Sequence, residues 1–153
     1  MVAPLRTIHV SEWISIGRSL DTVYLALADI STLAARNPLV QSSEALAGSR
    51  WRWTVRQPGG GIAVQTVRLV EAHRPDRLII ASHIGPSRLV TDYRICDHEG
   101  YTRVRAKMSW VLPYAWAILG GRWAGYQRYL TAQLHSGLVN LHQQLEVTTN
   151  PAP

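Results

Sequence analysis

Phenylalanine is absent from this chain, and cysteine occurs once, as Cys96. A single thiol excludes an internal disulfide and offers no cysteine framework for a metal. With no activating neighbour in the sequence, Cys96 reads as a buried packing residue. No run of eighteen or more apolar residues occurs, so no transmembrane helix is expected. The stretch from Met1 to Arg6 lacks the apolar core of a signal peptide, and cytoplasmic residence is the default expectation. No repeat, low-complexity tract or linker divides the 153 residues. That length fits one domain burying roughly two thirds of its unfolded surface, expected over residues 1–147 with 148–153 as a loose tail.

Positive charge is plentiful but never gathered into a block. The formal net charge is +6, yet arginines such as Arg50, Arg52, Arg103 and Arg105 alternate with apolar residues, as the solvent faces of strands do. No recognition-helix signature accompanies them, and no nucleic-acid partner is expected. The histidines His73, His98, His135 and His142 lack metal-ligand spacing, and no metal or cofactor is expected. Gly59-Gly60-Gly61 lacks the lysine and the strand-to-helix context of a phosphate loop.

The periodicities that are present define an order of elements. From about Arg122 to Glu146, large apolar residues recur at Trp123, Tyr126, Leu130, Leu134, Leu138, Leu141 and Leu145. These steps of three and four are the period of one helix face. Such a helix would be ~35 Å long, and its single apolar stripe requires a broad apolar partner. Thr7–Ile16 alternates as a first strand, with Ile8, Val10, Ile14 and Ile16 on one side. Ser19 or Asp21 can cap a helix through Ala28, and Asp29 or Ser31 a second one that stops near Asn37, ahead of Pro38. Strands follow at 40–46, 50–56, 62–72, 77–84, 88–97 and 101–111, separated by Gly- and Pro-containing turns. Trp51, Trp53 and Val55 share one face of the third strand, and Val104, Ala106, Met108 and Trp110 one face of the last.

The order β-α-α-β-β-β-β-β-β-α, the sequence Asp-x-Val-Tyr-x-x-Leu-x-Asp at 21–29, Asn37-Pro38, the turn from Arg74 to Leu78 and Gly-x-Thr-Arg-Val at 100–104 together resemble the START-like (SRPBCC) superfamily. That superfamily contains the bacterial polyketide cyclase/dehydrase and lipid-transport group and the Bet v 1-like helix-grip proteins. The resemblance spans residues 7–146. It implies an α+β fold in which a seven-stranded antiparallel sheet curves around the long C-terminal helix, with two short helices between strands one and two and a cavity inside. Where the family often has a tryptophan soon after the position of Asp29, this chain has Leu33-Ala34-Ala35-Arg36, so the entrance wall is built differently.

Given that fold, inward residues would line either core or cavity. The family's inward positions include those of Tyr93 and Ile95, and pairing Ile84 with Arg88 across the 85–87 turn brings His83 and Thr91 to the same side. A neutral imidazole moves protons near physiological pH, so His83 is a candidate for acid–base chemistry; the plain alternative is a hydrogen-bonded core histidine. Arg68 shares parity with Ile62, Val64, Thr66 and Val70. If that face is inward, its guanidinium needs an anion or an acceptor-rich ligand; if Val67 and Leu69 face inward, Arg68 lies in solvent. In the aromatic polyketide cyclases that the chain resembles, an inward arginine on this strand orients ligand carbonyls.

The candidate catalytic residues are therefore Arg68, His83 and Tyr93. The candidate ligand contacts are Trp51, Trp53, Thr66, Thr91, Met108, Trp110, Trp123 and Tyr126. Six tryptophans and no phenylalanine supply aromatic surface with hydrogen-bonding edges, suited to a flat, partly polar ligand, though such residues also simply pack. Gly120, Gly121, Gly125 and Gly137 leave room beside a ligand or permit close packing of helix on sheet. Two functions follow from the resemblance. One is a cofactor-free cyclase or dehydratase acting on a polyketide-like or related hydrophobic intermediate; the other is a non-catalytic carrier or sensor of a hydrophobic or aromatic small molecule, monomeric or homodimeric in either case.

Overall fold

The computed structural model describes residues 5–56, 60–85, 87–113 and 123–147, with side chains described over 7–56, 60–85, 87–111 and 127–146. The elements are β1 (Leu5–Ile16), α1 (Leu20–Ala28), α2 (Ile30–Arg36), β2 (Val40–Leu46), β3 (Arg50–Arg56), β4 (Ile62–His73), β5 (Arg77–Ile84), β6 (Ser87–His98), β7 (Tyr101–Pro113) and α3 (Trp123–Val147). All seven strands form one antiparallel sheet in the order β1-β7-β6-β5-β4-β3-β2. This is the α+β helix-grip architecture, with two short helices between the first two strands.

Local chemistry sets the helix boundaries. The Ser19 hydroxyl accepts the Thr22 backbone N–H at 3.2 Å and starts α1. Asp29 does the same for α2, accepting the Thr32 N–H at 3.2 Å and the Thr32 hydroxyl at 2.6 Å. Those bonds satisfy donors that have no partner within a helix, a contribution of roughly 1 kcal/mol per cap. They also hold the Asp29 carboxyl below its ordinary pKa. Asn37 ends α2, as the proline after it demands.

The core forms where the two periodicities meet. Leu130, Leu134, Leu138, Leu141 and Leu145 of α3 are buried, and so are Ile8, Val10 and Ile16 of β1 and Val104, Ala106 and Met108 of β7. Burial of each large aliphatic side chain is worth about 1.5–3 kcal/mol. Val23, Tyr24 and Leu27 of α1 and Ile30 and Ala34 of α2 close the core from the remaining side. Two expectations fail here. Cys96 is exposed rather than buried, because it alternates with the inward Tyr93 and Ile95 and so points outward on β6. The β5–β6 pairing is shifted by one residue from the expected one, since Ile84 pairs with Ser87 and not with Arg88. Gly85 adopts a φ of 54°, the left-handed conformation that two-residue hairpin turns require.

Candidate functional site

A cavity of about 380 Å³ lies between α3 and the inner face of the sheet, within the ~300–1,000 Å³ typical of small-molecule sites. The strands contribute Trp53 and Val55 from β3, Gln65 and Val67 from β4, Ile80, Ser82 and Ile84 from β5, Ser87, Leu89, Thr91 and Tyr93 from β6, and Met108 and Trp110 from β7. Alternation explains the set, since every second residue of each strand turns inward. The helices add Leu27, Leu33 and Arg36 on one side and Tyr129, Leu130, Gln133, Leu134, Gly137, Leu138 and Leu141 on the other. Four further lining residues, Pro38, Arg56, Ala132 and Ser136, are solvent-exposed. They mark the mouth, between the α2–β2 connection and the flank of α3.

The wall is apolar with a few placed polar groups. Gln65 Nε2 donates to Ser82 Oγ at 2.6 Å, a buried bond between neighbouring strands. The Ser87 hydroxyl donates to the Ile84 carbonyl at 2.7 Å, which closes the turn. Trp53 is buried at 8% exposure, and its indole N–H, out of contact with solvent, has no acceptor. Gly137 faces open space, where an added Cβ would meet nothing within 4 Å.

Arg36 is the charged group of the inner wall, and it ends α2 where that helix meets α1 and α3. One terminal nitrogen donates to Gln144 Oε1 at 2.9 Å and the other to the Ala26 carbonyl at 3.2 Å. Its own carbonyl accepts from Asn140 Nδ2 at 2.8 Å. The guanidinium is thus pinned between three helices, while its Nε–H is buried without a partner. Burial lowers its pKa, opposed by attraction to Tyr93 and Asp29. Burial raises the Tyr93 phenol to about 12, with Arg36 pulling in the opposite direction. Tyr93 therefore keeps its proton at physiological pH.

The residues expected from sequence divide clearly. Trp53, Thr91, Tyr93, Met108 and Trp110 lie on the cavity wall. Trp51 shares the inner face of β3 and packs against the core, but it is not part of the lining. The side chains of Trp123 and Tyr126, and residues 114–121 with Gly120 and Gly121, lie outside the described residues, as does the Gly125 position beyond its backbone. Arg68, Thr66 and His83 must be corrected. All three are exposed on the outer face, where Thr66 is paired with His83 and His83 with Arg88. For His83 the physical reason is the β5–β6 pairing, which is shifted by one residue, and a one-residue slip exchanges the faces of a strand. On β4 both faces carry apolar residues, and Gln65 and Val67 turn inward while Thr66 and Arg68 turn outward. Gln65 and Ser82 take the inward positions instead.

Arg36, Gln65, Ser82 and Tyr129 are lining residues that the sequence reading missed. The signal for Ser82 was the two-residue spacing between Ile84 and Ser87, because it fixes the parity of β5; no such signal marked Gln65 on β4. Among the described residues, no three His, Cys, Asp or Glu side chains gather closely enough to hold a metal ion, and no helix is long and apolar enough to cross a membrane.

No protein-family model matches the chain, and no curated protein sequence matches it significantly. Solved structures do match. The di-domain ARO/CYC StfQ from the steffimycin biosynthetic pathway superposes with a TM-score of 0.75 at 15% identity, covering 94% of this chain and 52% of that one. BexL, the di-domain ARO/CYC of the BE-7585A biosynthetic pathway, gives 0.72 at 15% identity, covering 96% and 51%. The chain thus spans about half the length of each di-domain protein. A START superfamily protein of Mycobacterium smegmatis gives 0.71 at 14% identity, covering 92% and 98%. The chain has the START-like, helix-grip fold. The space between its sheet and its C-terminal helix is the apolar-walled cavity described above.

Proposed function

We propose that the protein binds a hydrophobic, partly polar small molecule in this cavity and carries or senses it without altering it. The composition of the wall supports this reading. Its described side chains are mostly aliphatic and aromatic, with a few hydrogen-bonding groups to orient a ligand. None of them is Asp, Glu, His, Lys or Cys, the groups that most often exchange protons during turnover near neutral pH. Of the three expected catalytic residues, Tyr93 alone lines the cavity, and its phenol holds its proton up to about pH 12.

A second reading is a cofactor-free cyclase or dehydratase acting on a polyketide-like intermediate. One observation favours it: Arg36 and Tyr93 share a wall and interact electrostatically. A guanidinium and a neutral phenol on one wall can both donate hydrogen bonds to a developing enolate oxygen. Holding the reacting carbons together and excluding water would supply the remaining acceleration. StfQ and BexL, described as ARO/CYC proteins, share the fold with this chain.

Native mass spectrometry of the purified protein tests both readings. A bound hydrophobic molecule, recovered unchanged after prolonged incubation with fresh protein, is expected for a carrier. Loss of water from that molecule during the incubation would replace the carrier with the dehydratase, and its conversion to an isomer of equal mass but different chromatographic retention would replace it with the cyclase.

A further inference from the structure

The charges around the cavity are of one sign. Arg36 stands in the inner wall and Arg56 at the mouth, and the described lining residues include no aspartate or glutamate. Among the described residues Arg36 has no carboxylate within ion-pair distance, in contrast to the exposed Arg74, which is bound through two nitrogens to Asp21 at 2.8 and 3.0 Å. A guanidinium partly removed from water and facing apolar surface is costly unless an anion joins it. Its Nε–H is also a buried donor without an acceptor, and such donors are costly to leave unsatisfied. The hydrogen bonds of Arg36 go to neutral acceptors, and the Asp29 carboxylate that attracts it from beyond ion-pair distance is itself bonded to Thr32.

We propose that the molecule taken up by the cavity bears a carboxylate on a hydrophobic body, and that Arg36 is the residue that receives the carboxylate. The inference rests on the reading of the cavity as a ligand site and adds the class of ligand. The carboxylate supplies the charge and the acceptor that the wall lacks, and a planar guanidinium matches its two oxygens. Thr91 and the Tyr93 phenol, which keeps its proton, add hydroxyl donors to the same wall. Arg56 at the mouth attracts the anion before entry. The aromatic residues Trp53, Trp110 and Tyr129 and the leucines of α3 then cover the hydrophobic body.

The test compares isosteric pairs by isothermal titration calorimetry: 2-naphthoate against 2-naphthamide, and decanoate against decanamide. For the wild-type protein the acid of at least one pair is expected to bind about tenfold or more tightly than its amide, the ratio that one charge-assisted hydrogen bond supports. The naphthyl and decyl pairs distinguish an aromatic ligand body from a straight-chain one. In Arg36→Met the preference should collapse to near unity while amide binding persists, and in Arg36→Lys much of it should remain. Melting curves of both variants verify folding, and the wild-type ratio stands even if Arg36→Met fails to fold. Equal binding of acid and amide by wild type overturns the carboxylate and leaves the cavity reading intact. Binding of neither member of either pair overturns both. A preference that survives in folded Arg36→Met overturns the role of Arg36.

Discussion

Gln65 Nε2 donates to Ser82 Oγ at 2.6 Å, and both side chains belong to the cavity wall on adjacent strands. The bond satisfies two buried polar groups that hold β4 and β5 in register beneath the ligand space. Ser82→Ala leaves the amide of Gln65 without this partner and should destabilise the protein by about 1–3 kcal/mol. Gln65→Leu combined with Ser82→Ala removes both partners and should recover much of that loss. Denaturant unfolding of the two single variants and the double variant measures the coupling; simple additivity would mean that the bond contributes nothing specific.

Gly137 sits inside α3 with open space where a side chain would begin. Gly137→Ala should therefore stabilise the protein by up to about 1 kcal/mol through helix propensity, with no clash to oppose it. Gly137→Leu should keep the fold and occupy the cavity. Its affinity for 2-naphthamide, followed by calorimetry, should fall at least tenfold; unchanged affinity would mean that the probe binds elsewhere.

Tyr93 titrates at about 12 when folded, against an ordinary value of 10.0. The neutral phenol is thus favoured by the fold. Its contribution is complete below pH 10 and disappears as the pH rises from 10 to about 12, a loss of about 3 kcal/mol. Stability measured by urea unfolding across this range should decline less in Tyr93→Phe than in wild type. Parallel declines would show that Tyr93 is not responsible.

Arg68 and His83 project from the outer face, away from the cavity. Arg68→Ala and His83→Ala should each change stability by no more than about 0.5 kcal/mol and leave probe binding unaltered. A marked loss of binding in either variant would require the ligand to reach the outer face of the sheet.

The sequence patterns carried the fold well and the site unevenly, for reasons that differ by element. The leucines of α3 and the alternation of Val104, Ala106, Met108 and Trp110 are periodic over many residues, so their buried faces were legible. On β4 both faces carry apolar side chains: Ile62 and Val64 are 63% and 57% exposed, whereas Val67 is 1% exposed. Hydrophobicity therefore could not choose between Arg68 and Gln65. On β5 the choice rested on the turn, and one residue of loop length moved His83 outward and Ser82 inward. Arg36 was hidden for another reason. It ends a helix of seven residues, and its direction is set by bonds to Ala26 and Gln144, which come together only after three helices have packed.

A crystal structure of the protein soaked with 2-naphthoate tests the central claim most directly. The account predicts the naphthyl ring between the inner face of β6–β7 and α3, near Met108, Trp110 and Leu134, with the carboxylate against Arg36. A cavity that remains empty with 2-naphthoate and with decanoate alike, or a probe bound only on the outer face of the sheet, would contradict it.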